Sequence, residues 1–182
     1  MATVASYLLE LGGTGFVLFL VAQTFSGNLR YLQARLVMTN MLRTNPNNAE
    51  AMCKTAPDTF FAAIGTVIKT LAMAKSRDPA MLAKISQPTY DGAVTAVGMA
   101  WTKKYGKAKL AVVAAVGGLL LAINGGKAGF LLVFLAIIAV AGGVWILLNK
   151  IELDRSLLLA RAEVLPEVDR AFIDGRYQFP PG

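Results

Sequence analysis

Three stretches of the chain are apolar over lengths that suit a bilayer. Residues 130–148 carry no charge, and the Trp145 indole is their one strong hydrogen-bonding side chain. A membrane-crossing helix needs roughly 20 such residues. Residues 110–126 are also uncharged but shorter, and Lys107 and Lys109 mark their edge with stems long enough to snorkel. The link between them, Asn124–Gly125–Gly126–Lys127–Ala128–Gly129, has a turn-forming composition. It is too short for a return loop, so an antiparallel helical hairpin is expected. The first stretch, residues 3–25, is apolar apart from Ser6, Tyr7, Glu10, Thr14, Gln23 and Thr24. It lacks the basic flank of a signal peptide. A retained spanning helix over about residues 11–25 is expected, with Glu10 near the outer interface; a start nearer Thr3 stays open.

The polar segments carry helical patterns. Residues 28–42 read as a helix continuing inward from the first span, with Tyr31, Leu32, Leu36 and Met38 on more than one face. Asn47 and Glu50 have capping-box spacing, so a helix is expected to restart there. Phe60, Ile64, Val67, Ile68 and Leu71 recur with helical period. Asp78–Pro79 is a cap followed by a first-turn proline. Tyr90, Val94, Val97 and Trp101 form a stripe leading into the second span. Leu158, Ala162, Leu165, Val168 and Phe172 line one face of a tail helix that Pro166 kinks or divides. Residues 177–182 are expected to be extended. The bland reading of these stripes is helix packing, against a sibling helix or another copy of the chain.

Charge then sets orientation. Of the eighteen Lys and Arg residues, twelve lie between the first and second spans, five lie in the tail, and Lys127 alone lies in the hairpin turn. The positive-inside pattern puts the amino terminus outside and the carboxyl terminus in the cytoplasm. The division expected is 1–27 first span, 28–107 cytoplasmic helical segment, 108–149 spanning hairpin and 150–182 amphipathic cytoplasmic tail. The fold class is all-α: an integral membrane protein with three transmembrane helices and a cytoplasmic helical extension. The net charge of +7 follows this topology, so membrane lipid and no nucleic acid is the expected partner.

Composition narrows the chemistry. There is no histidine, which removes the commonest general base and the commonest zinc and haem ligand. No phosphate loop, nucleophile elbow or paired metal motif appears. No enzyme activity, cofactor or metal is expected. Cys53 is the single cysteine and reads as a small buried hydrophobe, in keeping with a reducing compartment.

The layout resembles the MotA/TolQ/ExbB proton-channel family, in its three-span TolQ/ExbB form. The run from Leu8 to Gly15 is similar to the Gly-containing opening of that family's first span. Asn45–Pro46, Ala49–Glu50–Ala51–Met52–Cys53, Ala56–Pro57 and Phe61–Ala62–Ala63–Ile64 are similar to its following cytoplasmic stretch. Ala114–Ala115 and Leu148–Asn149 are similar to its second and third spans. The resemblance implies a bacterial inner-membrane subunit, a pentamer around single-span ExbD/TolR-like partners that supply the titrating membrane carboxylate, and proton flow coupled to partner movement. It also implies pore threonines in the second and third spans. Here Ile123 and Phe134 stand at those positions, and the hairpin has no Ser or Thr between Leu110 and Leu148. An ion path through lipid needs polar groups, and the candidates are Glu10, Thr14 and Asn124.

Each candidate has a plain reading beside it. Glu10 is a relay or partner-contact carboxylate, or an interfacial residue wet by water. Asn124 is a pore-mouth contact, or part of the turn. Gly117, Gly118, Gly142 and Gly143 allow close helix approach, or face lipid. Trp101 and Trp145 are interface anchors or packing residues. The rival function is a non-conducting structural or accessory subunit of a larger membrane complex.

Overall fold

The computed structural model describes residues 2–25, 31–126 and 129–179, with side chains for 4–24, 31–126 and 129–179. No strand occurs among them. The helices are α1 (Ala2–Phe25), α2 (Tyr31–Thr44), α3 (Ala49–Cys53), α4 (Phe60–Ala74), α5 (Pro79–Asn124), α6 (Phe130–Glu163) and α7 (Leu165–Ile173). Three of them, α1, α5 and α6, are long and apolar enough to cross a membrane. With 46 residues, α5 is about 70 Å long at 1.5 Å per residue. That is more than twice a bilayer's hydrocarbon thickness, so only part of it can lie in lipid.

The chain forms two compact units, Met1–Asn28 with Trp101–Ile151, and Leu29–Ala100 with Glu152–Gly182. The helices α5 and α6 contribute to both.

In the first unit, α1 packs on the later part of α5 and the first part of α6 through small residues. Val17, Ala111, Ala115 and Ala139 form one buried cluster, with Val21 and Val112 against it. Leu20, Ala108 and Ile146 form a second. A Cβ on Gly13 would stand 2.6 Å from the Ala111 carbonyl oxygen, and one on Gly118 would stand 2.8 Å from that of Ser6. Large apolar side chains face outward instead: Leu110 is 73% exposed and Phe130 87%. Small residues inside and large apolar residues outside is the arrangement of helices packed in lipid, where close backbone approach drives association. At the end of α5, Gly126 takes the left-handed φ of +66° that closes the turn. The middle of the expected hairpin turn, Lys127 and Ala128, lies outside the described residues.

The second unit has a core of large side chains. Phe60, Phe61, Ile64, Val67, Ile68 and Leu71 of α4 are buried with Met38 and Leu42 of α2, Leu82 and Tyr90 of α5, and Val168 and Phe172 of α7. The buried Tyr90 hydroxyl donates to the Leu157 carbonyl at 2.6 Å. The Glu163 carboxylate accepts from Arg35 at 2.8 Å and from the Tyr31 hydroxyl at 2.7 Å. Glu167 accepts from Arg43 and Arg170.

The helix start at Asp78–Pro79 is built as its residues demand. The Asp78 carboxylate accepts from the Ala80 and Met81 amides at 3.4 and 3.2 Å. Asp78→Ala is expected to lower stability by about 1 kcal/mol, read as a fall in the thermal midpoint. Cys53 is buried, and burial, with the Glu50 carboxylate adding to it, pushes its thiol up from 9.0 to about 12. Its thiolate is therefore scarce at neutral pH. At pH 8 a maleimide should label it slowly in the folded chain and fully in denaturant; equal rates would place it at the surface. A thiol raised by folding contributes stability that is complete below 9.0 and is lost as pH rises towards about 12.

Several local expectations are revised. The apolar run of α1 begins at Val4, the earlier of the two starts left open, and includes Glu10. Asn47 caps no helix: its amide donates to the Gln178 carbonyl and its side-chain oxygen accepts from the Gln178 amide, both at 2.9 Å. Asn48 takes the position before α3 without a side-chain cap bond. On α2, Tyr31, Ala34, Met38 and Leu42 turn inward, while Leu32 and Leu36 are exposed. Whether α2 continues α1 is a matter of residues 26–30, which lie outside the described residues. The expected tail stripe holds only after the break at Val164, because Leu158 and Ala162 are exposed while Leu165, Val168 and Phe172 are buried. The third apolar stretch and the start of the tail are one helix, α6. At the end of the chain, Tyr177 and Phe179 pack with Phe172, while residues 180–182 lie outside the described residues.

Candidate functional site

The polar residues inside the first unit fall on one line. Ser6, Glu10 and Thr14 are spaced i, i+4 and i+8 on α1, which puts them on one helix face. All three are buried, Glu10 completely. Two neighbours close this face. A Cβ on Gly118 of α5 would stand 3.0 Å from the Glu10 backbone nitrogen, so α5 lies directly against it. On the α6 side, the Thr14 hydroxyl donates to the Leu135 carbonyl at 3.3 Å.

Neither carboxylate oxygen of Glu10 has a hydrogen-bond partner. No other acid or base occurs in residues 4–24, 110–124 or 129–149, so none of these stretches offers Glu10 a counter-ion. Burying a carboxylate without donors or a counter-ion costs several kcal/mol. The group's charge state is therefore tied to whatever reaches it: a proton, a cation, or a positively charged partner.

The other singled-out residues lie elsewhere. Asn124 is the last residue of α5 and is exposed. Ile123 and Phe134 are each about half exposed, with apolar side chains on the outer surface of the unit. A Cβ on Gly142 would meet Val17 at 2.5 Å, and one on Gly143 would meet Val112 at 2.8 Å. Both glycines thus seat a valine of a neighbouring helix. Gly117 has nothing within 4 Å of where its Cβ would be. Gly13 is a further close-contact position that sequence reasoning did not single out; the signal available was its place three residues from Glu10 in a span rich in small residues. Ser6 was legible as a polar exception, and its four-residue spacing from Glu10 was the clue to a shared face.

No group of three or more metal-ligating side chains occurs among the described residues. The chain is thus an all-α protein with three helices suited to a membrane and one unpartnered acid buried among them. Comparison with protein-family models, with curated proteins and with solved structures gives no match.

Proposed function

We propose that this chain is an oligomeric, stator-like subunit of the bacterial inner membrane. It couples the proton motive force to movement of a single-span partner, and Glu10 is its own proton-binding group. The observation that carries the reading is the buried, unpartnered Glu10 in line with Ser6 and Thr14. A proton arriving from the outer face converts the carboxylate to the neutral acid, and its release towards the cytoplasm restores the carboxylate. The hydroxyls one turn above and below are groups able to donate and accept on the way. The path then runs inside each subunit, between α1, α5 and α6.

Orientation rests on the cation count, with the amino terminus outside and the carboxyl terminus inside. The order of the helices, one span, a helical cytoplasmic segment, a hairpin and a helical tail, is the order in the family that the sequence resembles.

A second reading, a non-conducting structural subunit, is favoured by the outward, apolar Ile123 and Phe134. Two measurements separate them. Native mass spectrometry of the detergent-solubilised complex should show several copies, five by the resemblance, with one or two single-span partners. Proteoliposomes holding that complex should acidify when a proton gradient is applied. A homo-oligomer or a large mixed assembly without proton flux would leave the structural reading.

A further inference from the structure

A second feature of the first unit involves neither Glu10 nor proton flow. Between α5 and α6 runs an open groove of about 260 Å³. Its polar end is formed by Tyr105 and Lys109, with the Lys109 ammonium 5.7 Å from the centre of the Tyr105 ring. Beyond them the lining is apolar: Val112 and Val113 on α5, Val140 and Val144 on α6. On α5 the groove runs from residue 105 to 113, about 12 Å at 1.5 Å per residue. A cation at one end and an apolar trough leading away from it complement an anionic amphiphile.

The charge pattern selects the occupant. No acid occurs between Asp91 and Glu152, while Lys103, Lys104, Lys107, Lys109 and Lys150 all fall in that interval. Lys109 therefore has no acid of its own span to pair with. An apolar stretch of a second copy would not supply one, because residues 110–124 and 130–149 hold no acid and the only acid in the apolar α1 run is the fully buried Glu10. An apolar helix laid in the groove would cover the ammonium without compensating it, which is costly. A phosphate head group compensates it, and basic positions at the cytoplasmic ends of spanning helices commonly bind such groups. Tyr105 suits the same depth, where aromatic rings mix apolar and polar contact.

We infer that this groove is a binding site for one anionic glycerophospholipid, with its phosphate at Lys109 and an acyl chain along Val112, Val113, Val140 and Val144. The inference rests on the membrane reading of α5 and α6 but not on proton coupling.

The test is native mass spectrometry of the full-length chain in detergent, titrated with phosphatidylglycerol and, separately, phosphatidylcholine. The wild type should retain phosphatidylglycerol about fivefold better, the weight of one interfacial lysine. Lys109→Ala should bring it to the phosphatidylcholine level. Val113→Trp, at an exposed position that should leave the fold intact, should fill the trough and lower retention of both lipids. Circular dichroism and elution volume serve as folding controls. Equal retention of the two lipids by the wild type, or unchanged preference in Lys109→Ala, would overturn the site. So would a change of oligomer mass in Val113→Trp, since the groove would then hold a second copy. Recovery of the chain in the aqueous phase without detergent would overturn the membrane reading as well.

Discussion

Glu10→Gln is expected to reduce proton flux through reconstituted complex to the level of empty liposomes while leaving the complex assembled. The substitution keeps the shape of the side chain and removes its exchangeable proton site, so packing against Gly118 should be unchanged. A general-acid or relay group typically contributes a factor of about 10²–10⁴, so the loss should be far outside error. The companion variant is Glu10→Met. A buried carboxyl without partners weakens the fold, and even paired buried charges are often replaced by apolar side chains of similar volume with a neutral effect or a gain of about 1–4 kcal/mol. Glu10→Met should therefore melt no lower than the wild type and conduct nothing. That pairing, a residue that costs stability and is needed for activity, is the signature of a functional acid. Full flux in Glu10→Gln would remove the acid from the mechanism and return the chain to the structural reading. A lower melting temperature in Glu10→Met would show instead that the carboxyl has a stabilising partner in the assembled complex.

The three long apolar helices coincide with the three apolar stretches of the sequence, because a bilayer's demand on length and composition is nearly independent of tertiary detail. Where Glu10 points was harder to read. Mean hydropathy treats a buried face and a lipid-facing one alike, since both are apolar. A lone acid then reads as the end of a span, which places the start at Leu11. What distinguishes the faces is residue size: Gly13, Ala111, Ala115 and Gly118 line the contact, while Leu8 and Leu110 face out. The charged residues from Lys150 to Arg155 mark the end of an apolar stretch but not of a helix, because charges on the solvent face of α6 do not interrupt its hydrogen bonds. The helix ends only at Glu163, two residues before Leu165–Pro166 opens α7. Asn47 illustrates a third limit. Its spacing to Glu50 suits a cap, yet its partner, Gln178, lies far along the chain, and local pattern cannot weigh a tertiary competitor.

Gly118→Leu is expected to separate α1 from α5. Any Cβ at Gly118 would lie 2.8 Å from the Ser6 carbonyl oxygen and 3.0 Å from the Glu10 backbone nitrogen. These are backbone atoms of a helix and cannot rotate aside as a side-chain tip can. Relief requires α1 to move bodily, and overpacking of this kind costs about 1–3 kcal/mol, sometimes more. Gly13 sets the same limit one turn further on, where a Cβ would meet the Ala111 oxygen and Ala115 nitrogen, so movement at one end also strains the other. Gly117→Leu is the control. It is adjacent in sequence, nothing lies within 4 Å of its Cβ position, and replacing a helical glycine there should if anything help, by up to about 1 kcal/mol. Thermal melts in detergent should therefore fall for Gly118→Leu and hold or rise for Gly117→Leu. The pair also tests the candidate site independently of its charge. Gly118→Leu retains the Glu10 carboxyl but lifts it off α5, so proton flux should fall without any change in titratable groups. Equal stability in both variants would show that α1 does not pack on α5 through this face, and the buried seam at Ser6, Glu10 and Thr14 would have to be abandoned.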